Sequence, residues 1–197
     1  RTDFAEYTQQ QSRQILQEIL SAAFPEYRLH SEGAEEQGDS AYAWFVEPLD
    51  GLTNLIMGIP YCSIAAALAR EGEVILGVVH CPISGEIYWA EKQQGAFLNG
   101  RKICVSEKAT LSESFIALSP SLKAPGLQAE SAMLEQLIQK GQRVCYSQAP
   151  TSDLCNVARG RIDAMVDVTA SGREHAAARL ILYEAGGIMR NYEADQW

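Results

Sequence analysis

Hydrophobic positions recur at two spacings along the chain, and these spacings predict its elements. The apolar residues between Gln9 and Phe24 recur every three or four positions, which predicts a helix that Pro25 ends. The runs EYRLHSE and AWFV then predict a short extended segment and a buried strand. Three further strand-like runs, separated by Gly and Asn turn signals, predict an antiparallel meander. These runs are YCSIAAALAREG, EVILGVVHCP and GEIYWAEKQQGAFLNG.

In the second half of the chain, strand and helix patterns alternate. The runs SFIALSP, RVCYSQA, IDAMVDV and GGIMRNY predict strands, and the segments between them predict helices over Gln128–Gly141, Ser152–Gly160 and Glu174–Gly186. Alternation of this kind indicates helices packed on a sheet. We therefore predict a mixed α/β (α+β) protein. Residues 1–107 form an antiparallel-sheet half and residues 108–197 an α/β half, joined in one compact unit.

Composition and charge narrow the class of protein. The 197 residues suffice for one compact domain or two small, joined ones, and 47% hydrophobic residues is ordinary for a globular protein. The formal net charge of −9, with no Lys/Arg cluster to offset it, argues against a nucleic-acid partner. No apolar run reaches membrane-spanning length and the N-terminus lacks a signal-peptide pattern, so no membrane partner is predicted.

The five cysteines lie far apart in apolar contexts and include no CxxC pair. This spacing predicts reduced and mostly buried thiols rather than a zinc site or a disulfide framework. We therefore expect a cytoplasmic protein. The cysteines are Cys62, Cys81, Cys104, Cys145 and Cys155.

The stretch EPLDGLTN, which begins at Glu47, combines two acids and a glycine at the end of a predicted buried strand. Because Pro48 rigidifies the turn, both carboxylates and the Leu49 carbonyl can face one point, as Mg²⁺ ligation requires. Gly51 allows close approach of the backbone, and a helix that opens after it would direct N–H groups at an anion. A plain Pro-Asp-Gly turn explains the same residues equally well at this point.

Two further acids lie in contexts that fit a shared site. Glu32 lies in a turn of small residues, HSEGAEE, after a short extended segment. Glu174 begins an alanine-rich helix, which permits close approach of another element. Taken singly, Glu32 is explained as a solvated loop charge and Glu174 as a first-turn acid that complements the helix dipole.

Together, these motifs resemble those of the inositol monophosphatase family, Mg²⁺-dependent, lithium-sensitive enzymes that hydrolyse small phosphomonoesters. The best matches, EPLDGLTN, GAFLNGRKICVS, DLCNVARGRIDAMVD and YEAGGIM, occur in the family's order. The resemblance implies a layered αβαβα sandwich, a homodimer and a small phosphorylated ligand. It also implies that about 40 family residues are absent before Arg1 and about 30 after Trp197, given the usual domain size.

The resemblance also implies a role for each matching position, with Mg²⁺ as cofactor. The implied metal ligands are Glu32, Glu47, the Leu49 carbonyl, Asp50 and Glu174. The implied substrate contacts are Gly51, Leu52, Thr53, Asp167 and Glu174, and the implied catalytic positions are Glu32 and Asp50.

Several of these positions depart from the family pattern. Glu47 and Glu174 stand where the family has Asp, and the extra methylene suits the strict geometry of Mg²⁺ poorly. We therefore expect weak Mg²⁺ binding, a preference for Mn²⁺ or Ca²⁺, or no bound metal. The Thr and Asp that activate water in the family are replaced by Leu52 and Gln9, which supply neither a hydroxyl nor a base.

The substrate side departs as well, because the family's small G-[ST]-A segment reads Gln148-Ala149-Pro150 here. Two functions of different classes stay open. One is a family member with impaired catalysis that binds a ligand or a protein partner. The other is an active metal-dependent phosphatase of inositol phosphate, or of a related small phosphomonoester, with altered metal preference. The clustering of substitutions at the site favours the first.

Overall fold

The computed structural model describes residues 2–31, 39–108, 110–119, 127–141, 143–168 and 175–191. Its helices are α1 (Thr2–Ala23), α2 (Leu52–Met57), α3 (Leu127–Lys140), α4 (Pro150–Ala158) and α5 (Ala176–Glu184). Helix α1 begins seven residues before the predicted start at Gln9, and α4 begins with a proline, whose missing N–H costs nothing in a first turn. None of the helices in these ranges has the length and apolar composition needed to cross a bilayer.

The first sheet contains seven strands in chain order, and the predicted meander is confirmed. The strands are β1 (Arg28–Ser31), β2 (Tyr42–Asp50), β3 (Ser63–Arg70), β4 (Glu73–Cys81), β5 (Glu86–Glu91), β6 (Gly95–Leu98) and β7 (Arg101–Ile103). Asn99 and Gly100 both have positive φ, as a tight two-residue hairpin requires. The pairing of β1 with β2 is parallel, contrary to the antiparallel expectation. Parallel pairing requires that the chain between two strands returns to the same end of the sheet, a property that the hydrophobic pattern of the strands does not encode.

The second sheet is parallel, with the order β10-β8-β9. Its strands are β8 (Phe115–Ser119), β9 (Arg143–Cys145) and β10 (Ala164–Asp167). The strand predicted at GGIMRNY is wrong for residues 187–191, where only Arg190 forms a single bridge. Ile188 is 68% exposed there, so the apolar pattern of this run is not used to bury a strand.

Helices and sheets alternate, which confirms the predicted αβαβα layers. Helix α1 packs on β1, β2 and α2, helix α4 contacts strands of both sheets, helix α5 packs on α4 and on β3–β6, and α3 lies beside β9. The core between the sheets consists largely of alanine and other small residues. Helix α5 approaches β4 so closely that a Cβ on Gly77 would lie 2.7 Å from the Ala177 carbonyl oxygen. The division at residue 107 stays a prediction.

The cysteines are all free thiols, but only some are buried. Cys62 and Cys155 are buried and Cys81 is intermediate, whereas Cys104 and Cys145 are exposed. The prediction of burial is therefore wrong for the last two. The apolar context of Cys104 and Cys145 does not reveal which face of its segment meets solvent.

Candidate functional site

The EPLDGLTN stretch forms the end of β2 and the first turn of α2. The register with β3 shifts between Glu47 and Asp50, so Pro48 and Leu49 lie outside the regular pairing. The Ser12 hydroxyl of α1 donates a hydrogen bond of 2.7 Å to the Pro48 carbonyl. This bond holds α1 against the turn.

Gly51 reverses the chain between β2 and α2 with a φ of 85°. A Cβ at this position would lie 2.7 Å from the Tyr61 carbonyl oxygen and 3.1 Å from the Cys62 Cα. Backbone atoms at such distances cannot yield as a flexible side chain could. Both the positive φ and the close contact therefore require glycine here.

Helix α2 opens at Leu52, which meets the condition for N–H groups directed at an anion, and is six residues long. Leu52 is half-buried and Thr53 is exposed, whereas Asn54 is buried. The Asn54 amide nitrogen donates to the carbonyls of Tyr61, at 2.9 Å, and Ser147, at 2.6 Å. These bonds join α2 to the loop before α4.

Asp50 forms the contact that sequence reasoning missed. Its Oδ2 accepts N–H bonds from Thr151, at 3.1 Å, and Ser152, at 3.3 Å, and lies 3.4 Å from the Ser63 hydroxyl. Thr151 and Ser152 lie in the first turn of α4, where Ala149 provides no side-chain cap. Asp50 therefore caps a helix about a hundred residues away in sequence.

Burial determines the ionisation of Asp50, which is only 9% exposed. Burial raises the pKa of Asp50 to about 7, against the lowering effect of the hydrogen bond from the Ser152 backbone N–H. The hydrogen-bond donors that reach this carboxyl are a hydroxyl and two backbone groups, all neutral. A bound cation would favour the ionised form, so the surroundings of Asp50 fit a metal.

The other predicted metal ligands are only partly within the described residues. Glu47 lies half-buried on β2, and Leu49 is buried with its peptide unit outside the strand pairing. Glu32 and Glu174 lie outside the described residues, so the convergence of four acids stays a prediction. Within the described ranges, no group of three or more His, Cys, Asp or Glu side chains is arranged to hold a metal ion.

Asp167, predicted as a substrate contact, pairs with a histidine. Its Oδ2 lies 2.9 Å from His175 Nε2, and His175 Nδ1 lies 3.3 Å from the Thr151 hydroxyl. Sequence reasoning missed both partners. The position of His175 directly after Glu174 was the one available signal, and it is weak because a lone histidine is usually a structural residue.

The segment Gln148-Ala149-Pro150, predicted to replace the family's substrate-facing residues, lies at the start of α4 and in the loop before it. Gln148 has a φ of 57°, a conformation that costs a non-glycine residue roughly 1 kcal/mol. The Ala149 N–H donates to the Ser147 hydroxyl at 3.2 Å, and that hydroxyl donates to Asp153. Tyr61 donates to the other Asp153 oxygen at 2.8 Å, so hydrogen bonds on both sides hold the loop in its strained conformation.

The sequence model of the inositol monophosphatase family matches residues 1–197. The chain belongs to the inositol monophosphatase family. A relative from Rhizobium meliloti, named inositol-1-monophosphatase, is 35% identical over 188 residues, which are 94% of this chain and 71% of that protein. Another relative of this family member, the Nus factor SuhB of Pasteurella multocida, is 31% identical over 193 residues, 96% of this chain and 72% of that protein.

Solved structures of family proteins share the fold of this family member. The extragenic suppressor protein SuhB from Bartonella henselae has a TM-score of 0.87 at 32% identity, covering 92% of this chain and 71% of its own. The Thermotoga maritima inositol monophosphatase has a TM-score of 0.88 at 27% identity, covering 95% and 72%. These similarities confirm the predicted fold class.

Proposed function

We propose that this family member binds a small phosphorylated ligand at the β2–α2 turn and has weak or no phosphomonoesterase activity. The replacement of the water-activating Thr and Asp by Leu52 and Gln9 carries the proposal. Leu52 is the first residue of α2, and Gln9 lies one helical turn before Ser12, which binds the same loop. A hydrocarbon and a neutral amide cannot take a proton from water at neutral pH. The expected loss of rate is on the order of 10²–10⁴.

The acidic residues support retained cation binding. Glu47, the Leu49 carbonyl and Asp50 would hold Mg²⁺ together with Glu32 and Glu174. Bound Mg²⁺ would lower the pKa of a coordinated water and neutralise a phosphate. Because Glu47 and Glu174 are longer than the family's Asp residues, we propose weak Mg²⁺ binding and a shift toward Mn²⁺ or Ca²⁺.

The ligand contacts are proposed at Gly51, Leu52 and Thr53 for the phosphate, and at Asp167 and Glu174 for its hydroxyl-bearing part. Phosphate binding is supported by the turn into α2, since the first N–H groups of a helix have no partners within it. The change to Gln148-Ala149-Pro150 is expected to weaken the fit of an inositol ring. Gln148 adds a side chain where the family has glycine, and Pro150 lacks an N–H.

The direct test is release of phosphate from a panel of small phosphomonoesters with Mg²⁺, with Mn²⁺ or without metal. We expect negligible Mg²⁺-dependent hydrolysis of inositol phosphate and measurable binding of inorganic phosphate by calorimetry. Turnover by the unaltered protein at about 1 s⁻¹ or faster, a rate typical of enzymes, would overturn the proposal.

A rescue experiment tests the physical reason. Leu52→Thr with Gln9→Asp restores a hydroxyl and its proton acceptor, and we expect a measurable gain in Mg²⁺-dependent hydrolysis. Adding Glu47→Asp and Glu174→Asp should raise the rate more than additively, because the ligands of one ion act as a unit. The matched control, Leu55→Thr with Gln10→Asp, adds the same groups away from the turn and should gain nothing. Equal rates in the rescue variant and its control would contradict the mechanism.

The alternative is an active metal-dependent phosphatase of inositol phosphate or a related phosphomonoester. The relative from Rhizobium meliloti named inositol-1-monophosphatase, at 35% identity, favours it. Brisk turnover with Mn²⁺ alone, without any substitution, would decide for this alternative. A third possibility is that the chain binds a protein partner in place of a small ligand. Its relatives include proteins named Nus factor SuhB.

We further propose a cytoplasmic homodimer without nucleic-acid or membrane partners. The free thiols and the net charge of −9 support this assignment. Trp89 and Phe97 stack at 4.4 Å on neighbouring strands and stay half-buried, so they are candidates for the interface. Light scattering at micromolar concentration should give the mass of two chains, and a monomer would contradict the proposal.

A further inference from the structure

Thr151, His175 and Asp167 form a hydrogen-bonded series beside Asp50, and the proposed function does not use the central residue. The distances are 3.3 Å from Thr151 Oγ1 to His175 Nδ1 and 2.9 Å from His175 Nε2 to Asp167 Oδ2. Thr151 is 1% exposed and His175 7% exposed. Hydrogen bonds shielded from water to this degree hold side chains in one geometry.

The three residues come from three different elements. Thr151 lies in the first turn of α4, Asp167 ends β10, and His175 directly precedes α5. The Thr151 N–H also bonds to Asp50, so the series ends at the carboxylate of the β2–α2 turn. It therefore connects a proposed metal ligand with a proposed contact for ligand hydroxyls.

The hydrogen-bonding capacity of each group assigns the donors. An ionised carboxylate only accepts, so His175 Nε2 donates to Asp167. In a neutral ring Nδ1 is then an acceptor, and the Thr151 hydroxyl donates to it. Because both ring nitrogens are held, the imidazole cannot rotate without losing two bonds, and the orientation of the Asp167 carboxylate depends on it.

We propose that His175 is a positioning residue, which holds the Asp167 carboxylate in the orientation that contacts hydroxyl groups of a polyol phosphate. This inference rests on the proposed function, because Asp167 acts only if such a ligand binds. His175 does not activate Thr151 as a nucleophile, since the Thr151 side chain is buried and unavailable to a substrate. Its effect is on the recognition of the polyol part and not of the phosphate.

Substitution of His175 by glutamine or asparagine distinguishes the roles of its two ring nitrogens. His175→Gln places an amide nitrogen near the position of Nε2, so the bond to Asp167 is kept and the bond to Thr151 is lost. His175→Asn reaches only as far as Nδ1, so it keeps the bond to Thr151 and loses the one to Asp167. His175→Phe fills the space and makes neither bond. Thr151→Val removes the hydroxyl but keeps the N–H that binds Asp50.

The readout is the affinity for inositol 1-phosphate divided by the affinity for inorganic phosphate, measured by calorimetry on the full chain. We expect His175→Asn and His175→Phe to lower this ratio about tenfold, as the loss of one charge-assisted contact predicts. His175→Gln should stay within about threefold of the unaltered protein, because it keeps that contact. A purely structural role would weaken both ligands and lower the melting temperature in all variants, leaving the ratio unchanged. An unchanged ratio in His175→Asn would overturn the proposal.

A measurement without ligand tests the contact between His175 and Asp167 independently of the proposed function. The chain has three histidines, so ¹⁵N spectra of their ring nitrogens are readily assigned. Asp167→Asn should shift the His175 signals, Thr151→Val should shift chiefly Nδ1, and the His30 and His80 signals should stay in place. If neither ligand binds the unaltered protein, the proposed function fails. The spectra still decide on His175, because unshifted signals in Asp167→Asn would disprove the positioning bond.

Discussion

Two carboxylates in this protein do the same structural task in opposite electrostatic settings. Asp163 accepts the Phe115 N–H at 2.7 Å and also binds the Lys108 ammonium at 3.0 Å. Asp50 accepts two N–H groups of α4 and a hydroxyl at longer distances. Each carboxylate joins two elements that lie far apart in sequence, but of the two only Asp163 has a lysine beside it.

The pKa values of the two groups move in opposite directions for this reason. Burial raises the pKa of Asp50 to about 7, and its N–H donors offset only part of that effect. Burial also acts to raise the pKa of Asp163, but hydrogen bonds from Ser106, Phe115 and Lys108 outweigh it and lower that pKa below 3.8. Asp163 thus accepts a hydrogen bond from a charged side chain, whereas the donors to Asp50 are two backbone N–H groups and a hydroxyl. The difference distinguishes a carboxylate that stabilises the fold from one suited to bind a metal.

The largest effects are expected from alanine substitutions of the glycines near the two carboxylates, Gly51 near Asp50 and Gly160 near Asp163. Gly51→Ala puts a Cβ 2.7 Å from the Tyr61 carbonyl oxygen, so we expect a loss of roughly 3–5 kcal/mol in the free energy of unfolding. Gly160→Ala, near Asp163, meets its nearest backbone atom at 3.2 Å and should cost about 2 kcal/mol. Gly58→Ala is the control, because its Cβ meets nothing within 4 Å and its φ is also positive; about 1 kcal/mol is expected.

Urea unfolding followed by circular dichroism measures all three glycine variants. Gly51→Ala and Gly58→Ala flank the same short helix and share the backbone strain, so their difference isolates the contact with Tyr61. Equal losses in these two variants would show that the turn next to Asp50 adapts, and would remove the argument that it is rigid.

The next effect is the pH dependence of stability in metal-free protein. The folded pKa of Asp50, about 7, exceeds the value of 3.8 for an unperturbed aspartate, so the folded state binds more protons between these values. The contribution of Asp50 to stability is therefore favourable in acid and is lost as the pH rises from about 4 to 7. Asp50→Asn should remove this loss and raise the free energy of unfolding at pH 8 by on the order of 1–3 kcal/mol.

Asp163 should show the opposite sign. Its folded pKa lies below its unfolded value, so its stabilisation is present above about pH 4 and disappears as the pH falls through the folded pKa. Asp163→Asn should lower the stability at pH 8 by about 1 kcal/mol, the worth of one partly exposed charged contact. Urea midpoints between pH 3 and pH 8, in the presence of a chelator, measure both variants. Parallel pH profiles for the two variants would break the comparison.

The last effect that sharpens the comparison is the stabilisation by added metal. If Mn²⁺ binds at Asp50, a tenfold excess over its dissociation constant should stabilise the protein by about 1.4 kcal/mol. The effect should be larger at pH 8 than at pH 6, because the metal and the proton compete for the carboxylate. Thermal shift assays should find it abolished in Asp50→Asn and retained in Asp163→Asn. An equal Mn²⁺ effect in both variants would locate the metal elsewhere.

Local patterns predicted the elements well, and the errors have identifiable causes. Hydrophobic residues at every second position identified the meander, and hydrophobic residues at every third or fourth position identified α1, α3, α4 and α5. These patterns suffice because the burial of each residue follows from its own strand or helix face. The start of α1 at Thr2 was missed, since its first turns carry exposed apolar residues such as Phe4 and Tyr7 that break the expected stripe. The strand at GGIMRNY failed for a related reason: Ile188 has the right pattern but faces solvent.

The sequence by itself determined the order of most elements, the turn at Gly51 and the family to which the motifs belong. The tertiary structure alone decided the parallel pairing of β1 with β2, the capping of α4 by Asp50 and the meeting of His175 with Asp167. The physical reason is the range of the interactions. Hydrophobic periodicity and turn preferences act between residues a few positions apart. Hydrogen bonds and desolvation act across space, between side chains that only the packing of α4 and α5 brings together.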